Sequence, residues 1–187
     1  MTDPMQPVTY RPIGVIHTPF TDVEGMPIQA TAAIGIRGTI HLDPAFTAGL
    51  LDLDGFSHLV LLYHLHAVHH ARLTVTPFLD VRPHGIFATR SPARPNPIGM
   101  SAVRLMGVRG STIEIQDVDI LDGTPLLDIK PYVPAFDDRE GARVGWFTGR
   151  LERLAEARAD RRFVRPLTSH RAGPGSATDP ARSSGRE

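Results

Sequence analysis

TIEIQDVDI, residues 112–120, alternates apolar and polar side chains with the period of two that turns one face of a strand into a core. The apolar phase then slips, because Ile113 and Ile115 are followed by Val118 and Ile120. A slip of this kind predicts a bulge at Gln116 and Asp117, a device that bends a sheet toward closure. Outward from this stretch, short apolar or alternating runs recur at residues 10–18, 34–42, 56–66, 72–76, 85–89, 101–108 and 125–129, with turn residues between nearly all of them. Many short strands and few long helical patterns predict a mainly β protein, an antiparallel barrel or sandwich, and not alternating βαβ units.

Two segments read as helices. Residues 44–51 follow Asp43, an N-cap ahead of a proline at the first helical position. Residues 146–162 place Phe147, Leu151, Leu154 and Ala155 on one face, which makes that face a candidate subunit contact. The organisation expected is an extension at 1–9, a β domain with its C-terminal helix at 10–163, and a polar tail rich in Gly, Ser and Pro at 164–187. No apolar run approaches the roughly 18 residues of a membrane span. The opening MTDPMQPVTYRP has neither a basic nor an apolar leader region, so the expected location is the cytoplasm. With no cysteine, disulfides, thiolate metal sites and a cysteine nucleophile are excluded.

The net charge is zero, so binding of nucleic acid through bulk charge is not expected. The distribution is uneven. Residues 81–113 carry no acid but include Arg82, Arg90, Arg94, Arg104 and Arg109, whereas residues 114–140 carry eight acids against only Lys130 and Arg139. Inside the basic stretch lies GIFATRSPARPNPIGMS, residues 85–101, where Pro92, Pro95 and Pro97 stiffen a loop and lower the entropy lost when a ligand binds. Arg90 and Arg94 offer planar donor forks for carboxylate or phosphate, and Asn96 can read an amide or a base edge. The same residues would also serve a plain rigid connector. The acidic stretch contains DVDILDGTPLLDIKPY, residues 117–132: Asp122-Gly123-Thr124-Pro125 is a turn signature whose amides and carboxylate can hold a ribose or an ammonium group. Asp128 and Lys130, two apart on a strand, point the same way and can pair. His64 and His66 have one-face spacing with His69 and His70 nearby, but HEXXH is absent and no metal is expected. Neither a GxxxxGK[ST] loop nor GxGxxG is present, which excludes the P-loop and ordinary Rossmann signatures.

Four strings in order, RPIGVIHTPF (11–20), LDGFSHLVLLYHLH (53–66), GIFATRSPARPNPIGMS (85–101) and DILDGTPLLDIKPYVP (119–134), resemble the TrmO or TsaA-like family. The resemblance implies an antiparallel β-barrel methyltransferase that uses S-adenosylmethionine, works as a homodimer, and methylates the exocyclic nitrogen of threonylcarbamoyladenosine beside the anticodon of tRNA. By matching motifs it places cofactor contacts on Pro27, Ile28, Gln29, His66, Ala67, Arg90, Met100, Asp122, Gly123, Thr124 and Pro125. Asp128, Lys130 and Asn96 are the catalytic candidates, and Arg94 and Arg82 the candidates for contact with the anticodon loop. The base is open among Asp128, His66 and none, with Lys130 or Arg90 stabilising a deprotonated ureido group or gripping the threonyl carboxylate. The alternatives are a non-catalytic S-adenosylmethionine-binding regulator and a methyltransferase acting on another small nucleophile.

Overall fold

The structure, a computed structural model, describes residues 6–164. Its strands are β1 (Gly14–His17), β2 (Arg37–Leu42), β3 (His58–His64), β4 (Thr74–Val75), β5 (His84–Gly85), β6 (Ile98–Arg109), β7 (Thr112–Gln116) and β8 (Thr124–Pro131). Six of them close into a barrel in the order β1-β2-β7-β6-β3-β8, and β8 pairs back onto β1. All neighbours are antiparallel, and closure leaves no unpaired edge on this sheet. β4 and β5 form a small separate sheet.

Alternation fills the barrel. Leu59, Leu61 and Tyr63 of β3 point inward with Val103 of β6, Ile113 and Ile115 of β7, Ile16, Ile40 and Leu126. Gly99 faces Tyr63 across the β3–β6 ladder, and a Cβ there would lie 2.1 Å from the tyrosine Cε2. The glycine therefore allows the ring to lie against the strand. Hairpin β6–β7 turns on Gly110, whose φ of 59° is left-handed.

The phase slip in 112–120 has a different form from the expected bulge. β7 ends at Gln116, and Asp117 takes a left-handed φ of 66°, its carboxylate accepting from the Gly35 amide at 2.7 Å. That single residue resets the chain so that Val118 and Ile120 rejoin the core beside Ile113 and Ile115. The ladder irregularities lie instead between Leu105 and Gly107 and between Leu62 and Tyr63.

The proposed first helix is a 3-10 helix, Pro44–Leu50, whose Asp43 cap accepts from the Ala45 amide at 3.0 Å. The second is not a helix. Residues 145–163 contain three separate 3-10 turns, Gly145–Phe147, Leu151–Arg153 and Arg161–Phe163. Left-handed Gly145 and Gly149 break the helical path, and an antiparallel bridge between Pro27 and Arg158 draws the chain into an extended course. Gly25 donates to the Ala159 carbonyl and Ala159 donates to that of Met26, both at 2.8 Å. Tertiary pairing here outweighs a weak helical propensity. Among the described residues no helix is long and apolar enough to cross a membrane. Apart from Val164, the expected tail lies outside the described residues, as does most of the 1–9 extension.

Candidate functional site

At one end of the barrel, three segments surround a cavity of about 400 Å³. Its floor combines Tyr63, Gly99, Met100 and Thr124 of the barrel strands with Asp119 and Leu121 of the connection between β7 and β8. One wall is the loop Met26, Pro27, Ile28 and Gln29; the opposite wall combines Leu65 to Val68 with Thr89 to Pro92 of the proline-rich loop. The strap of residues 145–163 covers it with Trp146, Phe147, Leu154 and Phe163. Trp146 is fixed by donating its indole N–H to the Ala88 carbonyl at 2.7 Å and by stacking on His84, while Phe163 packs edge-on to Phe78.

Two polar pairs inside the cavity join residues far apart in sequence. Arg90 Nη1 donates to Gln29 Oε1 at 3.1 Å, so the proline-rich loop and the 26–29 loop close on one another. The other donors of that guanidinium fork remain available to a ligand carboxylate. His66 Nδ1 and Thr124 Oγ1 are 3.3 Å apart, and the threonine hydroxyl donates to the Leu121 carbonyl at 2.7 Å. With the hydroxyl proton engaged there, the imidazole donates from Nδ1 and leaves Nε2 as an acceptor. Burial, reinforced by His64, lowers the His66 pKa below its ordinary 6.5 and keeps the ring neutral at pH 7.

Of the expected cofactor contacts, Pro27, Ile28, Gln29, His66, Ala67, Arg90, Met100 and Thr124 line this cavity. Asp122, Gly123 and Pro125 stand behind its wall. The Asp122 carboxylate accepts from the Thr18 amide at 3.0 Å and meets His17 Nδ1 at 3.1 Å, both through Oδ1, so it holds the turn to β1. The amide of Thr18, ahead of the His17 contact, lowers its pKa. Gly123, with φ of 73°, donates to Ile16.

The expected catalytic and RNA-facing residues are placed differently. Asp128 and Lys130 form an ion pair of 2.7 Å on the outer surface of β8, opposite Leu62 and Val60, and do not line the cavity. Inward positions on β3 are 59, 61 and 63, so the register puts both partners outside. In the row Met100, Leu62, Asp128 the backbone of Asp128 lies two strand spacings, roughly 10 Å, from that of the cavity residue Met100. Asn96 is exposed on the proline-rich loop, also outside the cavity. Arg94 is half-buried, lines the cavity and is tied to its own loop: Nη1 donates to the carbonyls of Thr89 at 2.8 Å and Ile86 at 3.2 Å, stapling the loop from within. The three nearby prolines supply no amide donors, and the guanidinium supplies them instead. Arg82 is exposed, 3.9 Å from Asp80.

One chain of side chains escaped the sequence reading. Ser101 Oγ donates to Asp119 Oδ1 at 2.6 Å, and Tyr63 Oη lies 2.9 Å from the same serine. Since the serine proton goes to the carboxylate, the tyrosine donates to the serine. Burial pushes the Asp119 carboxyl above its usual range against the opposing effects of the Ser101 hydrogen bond and the Arg90 charge. Burial likewise raises Tyr63, which stays protonated. The signal available in sequence was polarity at inward strand positions, Tyr63 in HLVLLYH and Ser101 in IGMSAV.

A closed antiparallel barrel with a cofactor-sized cavity roofed by its own C-terminal strap defines a β-barrel small-molecule-binding domain of the non-Rossmann type. The chain belongs to the tRNA-methyltransferase O family, whose N-terminal-domain model matches residues 15–138. It is 54% identical over 156 residues to a Pyrococcus abyssi protein named "Probable S-adenosyl-L-methionine-binding protein", covering 83% of this chain and 85% of that one. It is 35% identical over 143 residues to the mouse tRNA (adenine(37)-N6)-methyltransferase, covering 72% of this chain but 33% of the mouse protein. The crystal structure of TrmO from Pseudomonas aeruginosa superposes with a TM-score of 0.64 at 38% identity, over 75% of this chain and 63% of that one. The chain thus spans less than two-thirds of the Pseudomonas aeruginosa and mouse relatives.

Proposed function

We propose that this chain is an S-adenosylmethionine-dependent methyltransferase acting on tRNA, with the exocyclic nitrogen of threonylcarbamoyladenosine next to the anticodon as acceptor. The observation that carries the reading is the meeting of Gln29, Arg90, His66 and Thr124 in one cavity, on a chain of this family. The cavity suits the cofactor in size and character. About 400 Å³ falls within the range of small-molecule pockets, and Met26, Pro27, Leu65, Phe78 and Leu121 give apolar walls for a purine. When bound, the cofactor supplies an electrophilic methyl group on a sulfonium.

The protein's share of the chemistry is positioning and electrostatics. Arg90 offers donors to a carboxylate, and Gln29 fixes the plane of its guanidinium. His66, neutral and with Nε2 free to accept, suits a ribose hydroxyl or an amino group. Trp146, Phe147 and Phe163 keep bulk water off the roof, and a lower dielectric strengthens each of these contacts. On the outer surface, exposed Lys130 and Arg82 supply the positive charge offered to the RNA backbone.

The test is methyl transfer from labelled cofactor to tRNA carrying threonylcarbamoyladenosine, with the product nucleoside read by mass spectrometry. The expected product is the N-methylated nucleoside at that position. Tight cofactor binding with no transfer to any tRNA would favour a regulator instead.

A further inference from the structure

We infer that Asp119 is the proton acceptor of the methyl-transfer reaction and that Ser101 and Tyr63 are its positioning residues, an inference resting on the methyltransferase reading above. An N-acylated exocyclic amine is a weak nucleophile because its lone pair is delocalised into the carbonyl, so losing the proton during attack lowers the barrier. The balance of the step is simple. The N–H bond breaks and its proton passes to Asp119; the nitrogen pair forms the new N–C bond; the C–S bond breaks and its electron pair stays on sulfur. No further reactant is needed.

Geometry selects Asp119 among the carboxylates. The cavity has two, and the other, Asp160, is engaged with the Arg162 guanidinium at 2.7 Å. Asp128, the carboxylate favoured by sequence, is paired with Lys130 outside the cavity. Asp119 is half-buried on the cavity floor, with Oδ1 fixed by Ser101 and Ser101 in turn by Tyr63. A carboxylate used only to terminate a hydrogen-bond chain has no need to reach the cavity; this one does. The titratable or charged groups around the same space are Tyr63 from β3, His66 from the loop after it, Arg90 and Arg94 from the proline-rich loop, and Asp160 from the strap. Tyr63 and His66 are neutral at pH 7, and Arg90 favours the ionised carboxylate. Burial makes Asp119 a stronger base than an exposed aspartate, so it binds a proton more readily near neutral pH.

The experiment compares wild type with Asp119→Asn, Ser101→Ala and Tyr63→Phe, by kcat on modified tRNA from pH 5 to 9, by calorimetric affinity for the cofactor, and by infrared spectra of the ligand-free proteins. Asparagine still accepts from Ser101 and preserves the fold. Asp119→Asn should lose about 100-fold or more in kcat with cofactor affinity within about threefold. The protonated-carboxyl band missing from Asp119→Asn should give the Asp119 titration in wild type. In Ser101→Ala that titration, and the acid limb of kcat with it, should move to higher pH, because the hydrogen bond that favours the anion is gone. Tyr63→Phe should move both the same way by less. Retained kcat in Asp119→Asn, or a titration unmoved by Ser101→Ala, overturns the assignment. A wild type that binds cofactor and methylates no tRNA overturns the methyltransferase reading itself, and this assignment with it.

Discussion

Arg90 and Asp122 both sit in motifs that point to the cofactor, yet the structure gives their side chains opposite duties. Arg90 is exposed, touches Gln29 through one nitrogen and keeps further donors toward the cavity. Arg90→Ala should weaken cofactor binding by about 1.5–3 kcal/mol, the range for hydrogen bonds to charged groups, while the melting temperature stays close to wild type. Calorimetry and a thermal melt on the same sample check both halves. Asp122 is engaged with Thr18 and His17. Asp122→Ala should cost about 1 kcal/mol of stability, measured by urea unfolding, with a smaller effect on affinity than Arg90→Ala. Equal affinity losses in the two variants would return Asp122 to the ligand's own shell of contacts.

The strap of residues 145–163 is held at its start by a cluster that sequence spacing does not reveal. Asp80, only 4% exposed, meets His84 Nε2 at 3.0 Å and Arg150 Nη2 at 3.1 Å. The His84 hydrogen bond first, then the Arg82 and Val81 amides and the Arg150 charge, depress its pKa to about 2 from an ordinary 3.8. Because the folded value lies below the unfolded one, this contribution to stability is complete above the unfolded pKa and is lost as pH falls through about 4 to about 2. Wild type should therefore be more stable than Asp80→Asn at pH 7, and the gap should narrow below about pH 4 and close by about pH 2. Trp146, the one tryptophan, stacks on His84, so its fluorescence should report release of the strap in the same pH window. The barrel strands were legible in the sequence because each buries one face, and a period of two survives in the letters, as in HLVLLYH. The strap was not: Phe147 and Leu154 have helical spacing, but Gly145, Gly149 and the bridge to Pro27 decide the path, and that bridge spans 131 residues of sequence. The cavity loops were legible as motifs. The side of the sheet on which Asp128 and Asp119 fall was not, because it depends on the register at the Leu62/Tyr63 irregularity and on left-handed Asp117.

For the whole molecule, the strap's packing also settles which surfaces remain for other chains. Phe147 and Leu154 line the molecule's own cavity, so part of the apolar face expected there as a subunit contact is already used, while Leu151 is 46% exposed outside it. Met106 on β6, 44% exposed and outside the cavity lining, is a further candidate contact for a homodimer. Light scattering at micromolar concentration should give twice the chain mass, and Met106→Glu should lower it. Contact with RNA needs charges that are free to reach phosphate. Arg94 is tied to the Thr89 and Ile86 carbonyls, so Arg94→Ala should loosen the proline-rich loop and weaken cofactor binding, with little direct effect on RNA. Arg82, 69% exposed, is one residue of the acid-free stretch able to meet phosphate, as are Arg109 at 82% and Arg104 at 50%. With a net charge of zero, attraction of the proposed RNA substrate would have to come from such local groups and not from the total charge. Arg82→Ala should raise the Michaelis constant for tRNA, reduce the slope of log affinity against log salt by about one, and leave cofactor affinity unchanged. Weaker cofactor binding with an unaltered salt slope would place Arg82 in the strap's anchor around Asp80 and move the RNA-binding surface to another side of the barrel.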